Sequence, residues 1–192
     1  KGQHPLIDKD HLLASEQIQL QQAAVPSFNQ QASGSIALTE ENNTTIVTAG
    51  DARLSFDSAG YLTSYQYNQT ELLQEPLKFN LWRAPTDNDF GGKTLRRGHV
   101  WKAATLNQKS QGIKVVSQTT NSVVLEQTVA LVEAESSVTY QYTINGLGEV
   151  NVDVAFDFSG NAKTKVDFIN PVGKKVKINK YSAIPRIGTN FQ

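Results

Sequence analysis

Apolar and polar residues alternate with a period of two through almost the whole of this chain, in short runs separated by turn residues. In Ser137 to Ile144, Val138, Tyr140, Tyr142 and Ile144 share one side while Thr139, Gln141 and Thr143 share the other. A helix cannot keep such a set on one face, whereas a half-buried strand must. The same pattern, rich in β-branched residues, predicts strands at Thr44 to Thr48, Ala52 to Phe56, Tyr61 to Tyr67, Leu77 to Trp82, Gly112 to Gln118, Ser122 to Leu131, Glu149 to Phe158 and Ile184 to Phe191. The links Asp57-Ser58-Ala59-Gly60, Thr120-Asn121 and Asn145-Gly146-Leu147-Gly148 are too short for a crossover, so neighbouring strands run antiparallel. One helix is expected, at Val100 to Gln108. The fold class predicted is all-β, an antiparallel sandwich.

The first thirty residues read differently. Leu12 to Gln22 resembles one further strand, and Gln21 to Ser35, with Pro26, Gly34 and many Gln, Ala and Ser, has the composition of a linker. A boundary is placed near Gln30, giving residues 1–30 as the tail of a preceding domain and 31–192 as a second unit. A lone strand cannot bury its own face, the 192 residues contain no Met, and Ile184 to Phe191 stops without a turn or cap. All three features lead us to expect a piece of a longer polypeptide.

Charge excludes several function classes. Eighteen Lys and Arg balance 18 Asp and Glu, so no basic field draws in nucleic acid or an anionic membrane surface. Apolar runs reach only a few residues, far short of the roughly 20 a spanning helix needs. With no Cys there is no thiolate nucleophile and no Cys-ligated metal, and the compartment, cytoplasmic or periplasmic, is left open. The lysines of Gly160 to Lys180 read as a solvated hairpin guarding an edge.

Polar chemistry concentrates at Asn80-Leu81-Trp82-Arg83-Ala84-Pro85-Thr86-Asp87-Asn88-Asp89-Phe90-Gly91-Gly92, read as a loop. Gly92-Lys93-Thr94 ends like a phosphate loop, but the required earlier glycine is Asp87, whose charge would repel phosphate. A calcium loop starting at Asp87 would need ligands where Gly91 and Gly98 stand. Asp87 and Asp89 are spaced like a carboxylate pair, yet glycosidase carboxylates flank the scissile bond from separate elements. The residues therefore favour Arg83 clamping Asp87 or Asp89 over catalysis. His4, His11 and His99 are too scattered for a metal site. Trp82 and Trp101 are candidates for stacking on a sugar face, with core packing the commoner use of such residues. Asn42-Asn43-Thr44-Thr45 and Asn68-Gln69-Thr70 contain glycosylation sequons.

The run Trp82-Arg83-Ala84-Pro85-Thr86-Asp87-Asn88-Asp89 resembles the C-terminal small domain of the bacterial β-galactosidases of glycoside hydrolase family two. Three further segments match in the family's order: His11-Leu12-Leu13-Ala14-Ser15-Glu16-Gln17, Trp101-Lys102-Ala103-Ala104 and Pro185-Arg186-Ile187-Gly188. The resemblance implies an antiparallel supersandwich of galactose mutarotase type over 31–192, preceded by the terminal strand of an immunoglobulin-like sandwich. It implies that the catalytic glutamates lie on a (β/α)8 barrel elsewhere in the polypeptide, so no catalytic residue is expected here. By position, Arg83, Asp87, Asn88, Asp89, Gly91 and Gly92 become residues that wall or support the sugar site. The span between Gly92 and Trp101 is short for the family. No cofactor is implied for this chain, while magnesium and sodium belong to the expectation for the full-length enzyme. The implied partners are a β-galactoside, the barrel domain of the same polypeptide and further copies in a homo-oligomer. The alternative reading is a carbohydrate-binding sandwich without hydrolase activity.

Overall fold

The structure is a computed structural model, and it describes residues 15, 16, 18, 27–91, 94–158, 166–169, 175–178, 184 and 186–190. The predicted strand Leu12 to Gln22 falls almost entirely outside them, as do His4, His11 and Gly92.

Two antiparallel sheets carry the fold. The first is a five-stranded meander of β1 (Ile36–Glu41), β2 (Thr44–Ala49), β3 (Ala52–Phe56), β4 (Leu62–Tyr67) and β5 (Thr70–Glu71), in that spatial order. The second is a four-stranded meander of β7 (Lys109–Gln118), β8 (Ser122–Leu131), β9 (Ser136–Asn145) and β10 (Val150–Asp157). Between them in sequence come β6 (Lys78–Asn80) and two helices, α1 (Asp87–Gly91) and α2 (Thr94–Leu106). Beyond β10, β11 (Val166–Ile169) pairs antiparallel with β12 (Lys175–Ile178), and β13 (Gly188–Asn190) pairs with β6.

Alternation does the work that the sequence assigns to it. Val123, Leu125, Val129 and Leu131 of β8 lie opposite Ile144, Tyr142, Val138 and Ser136 of β9, and all but Ser136 are fully buried. The first sheet presents Val47, Leu54 and Phe56 to the same core. The Phe56 ring meets that of Tyr142 edge-on, with centroids 5.1 Å apart, so the two sheets touch through aromatic side chains. A polar tie joins them at one end, where the Tyr65 hydroxyl donates to the Gly148 carbonyl at 2.8 Å. At another, buried Gln127 donates from Nε2 to the Ala59 carbonyl and to Ser110 Oγ. The Tyr140 and Tyr142 hydroxyls are buried without a hydrogen-bond partner among the described residues, and burial pushes both well above the usual tyrosine range.

Several expectations are corrected. The helix expected at Val100 to Gln108 spans Thr94–Leu106 instead, its first turns carrying Arg96, Arg97 and Gly98 where no apolar stripe marks a helix. Asp87 to Gly91 is a helical turn, not open loop. The expected strand Ile184 to Phe191 is reduced, among described residues, to β13, and a strand at Ile36–Glu41 was not expected at all. The Gln21 to Ser35 stretch is not linker along its whole length. From Asn29 onward it is tied down: Asn145 Nδ2 donates to the Asn29 carbonyl at 2.9 Å, Asn121 Nδ2 to the Gln31 carbonyl at 3.3 Å and the Ile36 amide to the Thr120 carbonyl at 2.9 Å. Gly34 makes this approach feasible. Its backbone lies against Gly146, where an added Cβ would stand 2.1 Å from the Gly146 oxygen, and its φ is +135°.

Candidate functional site

The polar run of the sequence is held between β6 and α2. The Leu81 amide donates to Thr105 Oγ1 at 3.0 Å, and that hydroxyl donates to the Trp101 carbonyl at 2.8 Å, so the exit of β6 is pinned to the helix. Asn80 Oδ1 then accepts the Trp82 amide at 2.8 Å, an Asx-turn that sets the direction of the chain into Arg83. Pairing of β13 with β6 places Gly188 opposite Asn80, so two segments far apart in sequence meet just before Trp82.

Arg83 and Asp89 form the corner. The guanidinium grips the carboxylate with two bonds, Nη1 to Oδ2 at 2.7 Å and Nη2 to Oδ1 at 3.0 Å. Asp89 Oδ2 also accepts the Thr86 amide at 2.7 Å and the Thr86 hydroxyl at 3.0 Å, while the Asp89 amide donates to the Thr86 carbonyl at 2.9 Å. This is half of a capping box, with Asp in place of the usual Glu: the Asp89 side chain returns to the Thr86 amide, while the Asp89 amide is met by the Thr86 carbonyl and not by its hydroxyl. Asp89 is buried, whereas Asp87 and Asn88 beside it are exposed. Of the two acceptors the sequence offered Arg83, the chain uses Asp89.

The hydrogen bonds from Arg83, then those from Thr86, hold the Asp89 carboxyl well below the usual carboxylate range. A depressed folded value means the clamp's stabilisation is fully present above the unfolded value near 4 and disappears as pH falls through the folded one. Thermal melting of Asp89→Asn between pH 2 and 6 should therefore show a shallower loss of Tm with acid than the parent chain. Parallel curves would show that the clamp does not contribute.

The corner suits positioning more than proton transfer or metal binding. A carboxylate with both oxygens engaged and a strong preference for ionisation is a poor general acid at neutral pH. Among the described residues no group of three His, Cys, Asp or Glu side chains gathers to hold a metal ion, and Asp89 has its oxygens committed, so this corner does not fit magnesium or sodium.

The two indoles part company. Trp101 is 1% exposed and packs with Phe156 and Phe158 at centroid distances of 6.4 and 5.6 Å, so it has no face open to a sugar. Trp82 is half-buried and lines an open groove of about 480 Å³ with Tyr61, Lys78 and Lys102. Sequence reasoning selected Trp82 but missed the groove's lysines, which no local motif marks. It also missed the bond from the Thr86 amide to Asp89 that closes the turn, although Thr86-x-x-Asp89 after Pro85 was a usable signal.

Residues 48–192 match the family model described as Beta galactosidase small chain. A β-galactosidase of Priestia megaterium is 33% identical over 132 residues, covering 68% of this chain and 13% of the relative. One from Clostridium acetobutylicum is 33% identical over 133 residues, covering 69% and 13%, and one from Alteromonas mediterranea is 31% identical over 117 residues, covering 59% and 11%. The chain thus spans at most 13% of the length of these relatives.

Proposed function

The chain belongs to the β-galactosidase small-chain family, and from that membership we propose that it is the non-catalytic sandwich portion of a retaining β-galactosidase acting on terminal β-galactosides. In this reading it supports the catalytic barrel of the same polypeptide and shapes the entrance to the sugar site. The enzyme works as a homo-oligomer, and any magnesium or sodium it uses is held by other parts of it.

The observation that carries this reading is the Arg83–Asp89 corner. It lies inside the region matched by the family, is built on an ion pair reinforced by two bonds from Thr86, and projects the exposed Asp87, Asn88 and Gly91 from a fixed base. A rigid base for a short exposed turn is what a wall residue needs, since a misplacement of about 1 Å near a reacting centre costs about a hundredfold in rate. Asp87 and Asp89 are not poised as an acid and nucleophile pair, because Asp89 is already spent on Arg83 and Thr86.

The test is Asp89→Asn in the full-length enzyme, assayed on a chromogenic β-galactoside. Weakening the corner should lower kcat/KM roughly ten- to hundredfold through misplacement of the wall. Unchanged kinetics in a folded variant would place the corner away from the sugar. A second reading, carbohydrate binding without hydrolysis, is favoured by one feature only: Trp82 is the indole that opens onto a groove of a sugar's dimensions.

A further inference from the structure

The groove beside Trp82 has a chemistry that plain galactose does not call for. Two ammonium groups stand on its aromatic walls: Lys102 Nζ lies 5.8 Å from the centroid of the Trp82 ring, and Lys78 Nζ lies 5.2 Å from that of Tyr61. The rings hold both cations in place through their quadrupoles without neutralising them. Among the described residues, ion pairs join Arg53 to Glu41, Arg83 to Asp89 and Lys114 to Glu126, and neither groove lysine takes part in one. Glu75 is the single carboxylate in the lining, which leaves one positive charge in excess. Pro76, Phe79 and Leu106 make the rest of the wall largely apolar, with Gln108 fixed among them. Gln108 Nε2 donates to the carbonyls of Phe79 and Thr105, while its Oε1 is buried without a donor among the described residues.

We propose that this groove binds an acidic sugar of monosaccharide size, a uronic acid, with its carboxylate between the Lys78 and Lys102 ammoniums and its C–H face on the exposed part of Trp82. The volume of about 480 Å³ falls within the usual range for small-molecule sites. Charge-assisted bonds to a carboxylate are stronger than neutral ones, so the two lysines supply selectivity as well as affinity. Asn80, Thr105 and Gln108 line the groove as well, but Thr105 and Gln108 spend their hydrogen bonds on the protein's own backbone, so recognition falls to the two lysines and Trp82. The proposal rests on reading the Trp82 groove as a sugar-facing surface and does not depend on hydrolysis.

The experiment titrates the chain separately with galacturonate, galactose and acetate at constant ionic strength. The readout is the indole N–H resonance of Trp82, identified by its loss in Trp82→Phe. Galacturonate should shift that resonance to saturation at least about tenfold more tightly than galactose. The double variant Lys78→Gln, Lys102→Gln should bring galacturonate down to the affinity of galactose, leaving galactose unchanged. Equal affinities in the parent chain would overturn the choice of an acidic sugar while leaving the groove a sugar site. No shift with either sugar would overturn both readings. A shift with acetate as tight as with galacturonate would overturn the proposal by reducing the groove to an anion site.

Discussion

Replacing Phe56 with alanine is expected to destabilise the chain by about 3–5 kcal/mol, the usual cost of emptying a buried aromatic site that cannot collapse. Phe56 is fully buried at the end of β3, and its ring stands edge-on to Tyr142 of the facing sheet at 5.1 Å. Neither sheet can close the gap alone, because each is stiffened by its own ladder and Leu54, Leu125 and Ile144 fill the same close-packed core. The loss therefore combines transfer of the ring to water with a cavity shared by both sheets. Urea unfolding of Phe56→Ala beside Leu72→Ala measures it. Leu72 is 52% exposed, and its variant should stay within about 0.5 kcal/mol of the parent. A Phe56 effect no larger than that of Leu72 would mean that the two sheets do not share a core.

Asn145→Ala is expected to cost about 2–4 kcal/mol, with a local signature as well as a global one. The side chain is fully buried and all its principal valences are used. Oδ1 accepts the amides of Leu147 and Glu149 at 3.1 and 3.0 Å, and Nδ2 donates to the Asn29 carbonyl at 2.9 Å and to Glu149 Oε2 at 2.7 Å. Alanine removes the acceptor for two turn amides and the donor that ties down the segment around Asn29. Hydrogen exchange should speed at the Ala32 and Ile36 amides, which bond to Asn29 and Thr120, more than at the centre of β8. Unchanged exchange at Ala32 and Ile36 would show that Asn145 does not anchor the segment.

How much of this could be read from residue order depends on whether the signal was local. Ser122 to Leu131 and Ala52 to Phe56 were placed to the residue, because a buried face and a period of two leave only one register in which the apolar set points inward. Ile36–Glu41 escaped notice, since its burial is partial and its far half, Thr39-Glu40-Glu41, is polar and exposed. The hairpin turns on either side of the first sheet were hidden by another meaning. Asn42-Asn43 and Asn68-Gln69 were read as sequons, whereas all four residues take positive φ of 48 to 64°, the backbone that tight two-residue hairpins require. At the candidate site, Arg83 and its carboxylate partner were legible because few other charges stand near. The choice of Asp89 over Asp87 was decided by the helical turn, which points position 89 back at Thr86 and Arg83 and leaves 87 in solvent. The groove was not legible at all: Tyr61 comes from the link between β3 and β4, Lys78 from β6 and Lys102 from α2, and only tertiary structure brings them together.

The role proposed for this sandwich is to position and support without itself breaking glycosidic bonds. Incubating the purified chain with a chromogenic β-galactoside, beside the full-length enzyme at equal molarity, puts that to the test. Chromophore release is expected from the full-length enzyme and none above buffer from the chain. Turnover by the chain that follows its concentration and is lost in Asp87→Asn would contradict it, since a bond-breaking carboxylate would then lie within these residues.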